Sequence, residues 1–187
     1  MIKRAVLLLL VSCQFGLATG GSIEERTAAC RAVAAGFMST LKAELMKAMR
    51  DGGPLNAIKV CKERAPEIAA QKSKVTGWRV ARTSLKARNP ANSPDPWERK
   101  VLESFEARRA KGERVNSLEH GEIVTENGKR AFRYMKAIQT SGICLRCHGK
   151  NIDPALSSAL REFYPQDKAT GFKLGHIRGA FAITQPM

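Results

Sequence analysis

Acidic residues, aromatics and long apolar runs are all scarce in this chain of 187 residues. Only 17 Asp and Glu stand against 32 Lys and Arg, a formal charge of +15, which steers the protein towards acidic partners, anionic lipid or an anionic ligand. Aromatics make up just 6%, and the basic residues are scattered without the aromatic interleaving of a nucleic-acid-binding face, so nucleic acid is not an expected partner. No run approaches the roughly 20 apolar residues of a membrane span. Five cysteines are too few for a disulfide-dense scaffold, and no internal repeat is present. The 43% apolar content is enough for one domain with a buried core.

What is present begins with a leader. Lys3 and Arg4 precede an apolar run from Ala5 to Val11 that continues through Phe15 and Leu17 and closes on Ala18, Thr19 and Gly20. Residues 1–20 therefore read as a signal peptide and 21–187 as the mature domain, exported to the periplasm. Leu10-Val11-Ser12-Cys13 also resembles the box before a lipidated cysteine, which would tether the chain through Cys13. Without Lys3 and Arg4 the net charge is +13.

Ser22 with Glu25 forms a capping box, and Cys30, Val33, Phe37, Leu41, Leu45 and Met49 recur at helical spacing up to Asp51-Gly52-Gly53-Pro54. A second helix is expected from Pro54, with Leu55, Ile58, Cys61 and Ala65 on its inner stripe and a kink or restart at Pro66. Trp78 to Ser84 reads as a strand, followed by a Pro- and Asn-rich loop. Asp95, Pro96 and Glu98 open a helix whose inner face carries Trp97, Val101 and Phe105. The period then changes to two. Glu119–Glu126 and Lys129–Ile138 flank Asn127-Gly128, a hairpin signal that puts Phe132, Tyr134 and Ile138 on one face and Met135 on the other. A short helix from Asp153-Pro154 and a last strand, Ile177 to Thr184, complete an α+β pattern with a small antiparallel sheet.

Cys144-Leu145-Arg146-Cys147-His148 carries the chemistry. Two thiols two residues apart can add across the two vinyl groups of haem, while the adjacent imidazole binds iron from one side; this is the spacing of covalent c-type haem attachment. A dithiol redox pair would want a strand-to-helix setting, structural zinc would want a second ligand pair, and a plain disulfide leaves His148 without a role. For the sixth iron position the residues alone leave Cys61, His120, His176 and the methionines open. Cys61 has a competing use in a disulfide with Cys30.

Several runs together resemble one family: Asn56-Ala57-Ile58-Lys59-Val60-Cys61, Arg82 to Asn92, Trp97-Glu98, Tyr134-Met135-Lys136, Cys144 to Gly149 and Arg178-Gly179-Ala180-Phe181. It is the family of single-haem c-type cytochromes with a PAS-like fold, which occur alone or as outer sensor portions of membrane kinases and receptors. The resemblance covers nearly the whole mature chain in matching order. It implies N-terminal helices packed on a PAS-like antiparallel sheet, one haem c held by Cys144 and Cys147, and iron ligation by His148 and the Cys61 thiolate. Ala137 and His176 depart from the family's usual residues. In the loop that carries the resemblance, Arg82, Lys86, Arg88, Asn89 and Asn92 are candidates for bonding the haem propionates.

A thiolate ligand stabilises ferric iron, so the expected protein is an exported, low-potential redox carrier or a redox or gas sensing module, working with an acidic redox partner. The alternative is a haem-dependent oxidoreductase of sulfur compounds such as thiosulfate.

Overall fold

The computed structural model describes residues 21–187 except Asn127; the leader and Cys13 lie outside the described residues. Helix α1 spans Ile23–Lys59 and starts on the expected capping box, with Ser22 and Glu25 bonding each other's backbone. It breaks at Gly52 and Gly53, whose dihedrals are not helical. Gly53 sits at φ +68°, a conformation costly to any residue with a Cβ, and Pro54 restarts the helix beyond it. A π-helical turn, Val60–Arg64, joins α1 to α2 (Ala65–Thr76). The expected kink at Pro66 takes this form because proline at the start of α2 gives no N–H to the turn before it. Leu55 departs from the expected inner stripe and is 51% exposed, since the restarted helix buries Ala57 and Ile58 instead.

Strands β1 (Arg79–Thr83), β2 (Glu119–Glu126), β3 (Lys129–Gln139) and β4 (Ile177–Pro186) form one antiparallel sheet in the order β1-β4-β3-β2. The β2–β3 hairpin pairs Glu126 with Lys129, and Gly128 has φ +74°, as its turn signal predicts. The two faces of the sheet separate as the period-two pattern requires. Phe132, Tyr134, Phe181 and Ile183 pack with Cys30, Phe37 and Ile68 from α1 and α2, while Met135, Ala180 and Ala182 pack with Val101, Leu102 and Phe105 of α3 (Pro96–Ala110). The fold is thus α+β, a sheet between two helical layers.

Helix α3 is anchored at its start. Asp95 and Glu98 close a capping box, and both carboxylates also reach Arg133 of β3, whose guanidinium lies 4.3 Å from the Trp97 ring. Trp97 packs against the Val101 and Phe105 cluster as its spacing suggests but is only partly buried, donating to Glu122 at 2.7 Å. Two short helices, α4 (Leu145–His148) and α5 (Pro154–Phe163), lie between β3 and β4.

No Cys30–Cys61 disulfide forms. Cys30 is fully buried beneath the sheet, where Gln185 Nε2 donates to its sulfur at 3.0 Å, and Cys61 lies beyond the Gly52–Gly53 break on the π-helical turn; both are free thiols. Among the described residues no helix is long and apolar enough to cross a membrane.

Candidate functional site

Because neighbouring strands run antiparallel, β1 ends where β4 begins and β3 ends: Thr83 pairs with Ala180, and Gln139 with Ile177. The Cys-Leu-Arg-Cys-His run follows directly from β3, first in a 3-10 turn (Gly142–Cys144) and then in the single turn of α4. Gly149 ends that turn because its N–H reaches the Leu145 carbonyl and a Cβ there would lie 2.4 Å from the same oxygen. The loop from Tyr164 to Phe172 then covers the turn, with Gly171 and Phe172 donating to the Gly149 and His148 carbonyls at 2.9 Å.

His148 is oriented from its own ring. Its Nδ1 lies 2.8 Å from the Ala169 carbonyl, which can only accept, so Nδ1 carries the proton and Nε2 keeps its lone pair. Burial, reinforced by the positive charges of Arg178 and Arg88, holds the imidazole pKa well below its usual value. The ring stands edge-on to Phe172 at 6.1 Å. Neutral, held at Nδ1 and open at Nε2, it is in the state that binds a metal.

Cys61 is brought to the same place. Ile58, one turn earlier, is buried with Leu156, Leu160 and Tyr164, and Cys147 packs against that cluster. Cys61 also lies close enough to Arg82, Arg178, Cys147 and Tyr164 to act on the charge of each. Burial pushes the Cys147 thiol up, with Arg88 opposing. Cys144 is more open, its sulfur 3.2 Å from the Ser141 hydroxyl.

The arginines set the electrostatics. Burial lowers the Arg82 pKa, and the groups that favour its charge are Cys61 and Tyr164, neither a carboxylate; its guanidinium lies 5.7 Å from the Phe37 ring. Arg178 falls to about 10 through burial and the repulsion of Arg88 and Arg82, so it remains a cation at neutral pH. Its Nη1 reaches the Ser84 hydroxyl at 3.2 Å and the Lys86 carbonyl at 3.4 Å. These two partly buried guanidiniums, neither in an ion pair among the described residues, make a site that favours an anion.

The other proposed propionate ligands are placed less directly. Arg88 is buried, its Nε on Asp167 and its Nη2 on backbone carbonyls. Lys86 is exposed, donates to the Thr170 carbonyl at 2.5 Å and lies 5.0 Å from the Phe172 ring. Asn89 Oδ1 caps the short turn that follows by accepting from Ala91 N–H at 3.0 Å, and the Asn92 carbonyl accepts from Ser84 N–H. Asn89 also lines a cleft of about 430 Å³ with Lys62, Phe163 and Tyr164.

Of the rival sixth-position residues, three are placed by their contacts. His120 bonds Glu122 at 3.1 Å beside Trp97, Met135 is buried under α3, and the charged neighbours of His176 are Arg109, Glu106, Lys173 and Lys86. Sequence reasoning missed Arg178, Asp167, Tyr164 and Phe172 as site residues. Arg178 stands in a run that carries the family resemblance, while Asp167 has no local signal because its partner is 79 residues away.

The residues fit a haem: two thiols on the turns after β3, an imidazole nitrogen left free, a third sulfur from the π-helical turn, and partly buried cations able to take two carboxylates. Among solved structures, the chain resembles that of a cyanobacterial haem protein, Tll0287, with a TM-score of 0.64 at 24% identity; the match covers 89% of this chain and 98% of that one, and establishes the shared fold. No curated protein matches the sequence. The Tll0287-like family model matches residues 22–186, so from the start of α1 to the last strand the chain belongs to the Tll0287-like family.

Proposed function

We propose that the protein is an exported, periplasmic, single-haem c-type cytochrome of PAS-like form, acting as a low-potential redox carrier or as a redox or gas sensing module. Cys144 and Cys147 would hold the group covalently, and His148 Nε2 and Cys61 would be the ligands to its iron. The carrying observation is the convergence of Cys61, from residue 61 of the chain, on Cys147 and a His148 whose Nδ1 is already engaged. The haem character of Tll0287, a structural relative, supports the reading. When bound, the haem supplies a one-electron couple.

The chain's own residues supply the rest. The Ala169 carbonyl fixes the His148 tautomer, Arg82 and Arg178 offer their charge to the propionates, and Phe172 and Tyr164 keep water from the imidazole and thiol side of the site. A thiolate together with an imidazole would favour the ferric state and would admit an added ligand only when one of those two bonds breaks.

The test is an optical spectrum, ferric and ferrous with a pyridine haemochrome, on protein exported alongside haem-attachment machinery, compared with Cys61→Ala. Covalent haem with a ferric thiolate signature that disappears in the variant is expected. No covalent haem would overturn the reading, and an unchanged spectrum in Cys61→Ala would remove Cys61 from the ligand set. Carbon monoxide distinguishes the roles: ferrous protein that takes up none is a carrier or redox sensor, not a gas sensor.

A further inference from the structure

Arg88 lies in the loop after β1, only 7% exposed, with donors engaged by protein acceptors. Its Nη2 reaches two backbone carbonyls, Cys147 at 2.5 Å and Ala169 at 3.2 Å, and its Nε reaches Asp167 Oδ2 at 3.0 Å. The other oxygen of Asp167 accepts from the Ala169 N–H at 2.7 Å, so one carboxylate grips both the guanidinium and the Ala169 peptide. The Ala169 carbonyl is also the acceptor for His148 Nδ1. A single oxygen therefore receives an imidazole N–H and a guanidinium N–H.

The geometry points to Arg88 as a positioning residue that tunes, through the shared Ala169 carbonyl, how strongly His148 donates to iron. This rests on the haem reading above. A guanidinium on one lone pair of a carbonyl draws density from the oxygen and makes it a poorer acceptor for the imidazole on the other. Weaker acceptance at Nδ1 leaves less electron density at Nε2, so His148 becomes a weaker donor and favours the ferric state less. Asp167 balances the charge of Arg88 at 3.0 Å, so the effect travels by the hydrogen bond more than by net charge. The bond to the Cys147 carbonyl holds the turn that aims the ring.

The experiment is a redox titration and ferric electron paramagnetic resonance spectrum of the haem-loaded wild type, Arg88→Lys and Arg88→Gln. Lysine keeps the charge, but its single ammonium cannot hold Asp167 and both carbonyls at once. Both variants are expected to shift the midpoint potential in the negative direction and to change the spread of the low-spin g values. A wild-type midpoint in Arg88→Lys with a fall only in Arg88→Gln would reduce the residue to a point charge and overturn the inference, as would wild-type values in both. Failure of both to take up haem would also overturn it, because it would make Arg88 a support of the turn that carries Cys147 and not a tuner of His148. A wild type without haem would instead defeat the underlying reading before any variant is compared.

Discussion

His148 and Cys30 show how burial sets the chemistry of a side chain in opposite directions. The imidazole is buried and kept neutral, with one nitrogen left to bind; replacing it by alanine should remove the normal haem spectrum while Cys144 and Cys147 still attach the group, which gel staining for covalent haem would reveal. Cys30 is buried and kept protonated, its pKa raised to about 11 by desolvation, with Gln185 and Arg26 opposing. Its folded pKa lies above the ordinary 9.0, so its contribution to stability is complete below pH 9 and is lost as pH rises towards 11, at no more than about 1.4 kcal/mol per pH unit. Denaturant titrations from pH 8 to 11 should show this decline, flattened in Cys30→Ala. The same thiol should resist alkylation in the folded protein and react on unfolding.

Two elements depend on single residues. Gly179 of β4 has φ +156°, and a Cβ there would lie 2.3 Å from the Thr83 carbonyl of β1, beside the irregularity where Ile138 and Gln139 shift register. Gly179→Ala should therefore cost at least about 2 kcal/mol, because the clash is with strand backbone that cannot rotate away, and should loosen the edge that carries Arg82. Denaturant unfolding measures the first effect, and amide exchange along β1 the second. Helix α3 depends on Arg133, which joins buried Glu98 to the sheet. Arg133→Ala leaves that carboxylate the Asp95 N–H and, as its one cation, Arg79, 3.3 Å away and largely exposed, and should destabilise by about 3 kcal/mol; Arg133→Met, which fills the space, leaves the same charge poorly compensated and should rescue little. Most elements were legible beforehand: the capping boxes at Ser22 and Asp95, the Asp153 cap, the hairpin at Gly128 and the glycine break in α1 are all local signals read by local backbone geometry. Leu55 was not, and Trp97 only in part, because helical spacing names a face without saying what covers it.

At the scale of the molecule, the excess of basic residues leaves the domain strongly positive at neutral pH. If electrons pass to an acidic partner, the second-order exchange rate should fall steeply as ionic strength rises past about 0.1 M, where the screening length shortens to about 10 Å. Stopped-flow reduction by an anionic and a cationic small-molecule donor measures the sign independently: the anionic donor should lose rate with salt and the cationic donor should gain. The tertiary fold also gathers three arginines at one end of the sheet, buried Arg88 from the loop after β1 and partly buried Arg82 and Arg178 from β1 itself and the start of β4.

The sequence by itself determined the α+β pattern, the faces of β3 and the Cys-Leu-Arg-Cys-His run, because each is written within a few residues and obeys a backbone period or a fixed spacing. It also put Cys61 on an inner helical stripe among several candidates for the iron, and a resemblance then favoured it over the others. Only the tertiary structure decided which candidates meet. Antiparallel pairing brings the ends of β1 and β3 to the start of β4, the glycine break and π-helical turn carry Cys61 to the same end, and His120, Met135 and Cys30 are left on other surfaces of the sheet. Arg88 illustrates the physical reason. Its loop marks it as a basic residue near an anion, but the direction of its five N–H donors depends on Asp167, Cys147 and Ala169, none within fifty residues of it in the chain, and only packing brings those acceptors together.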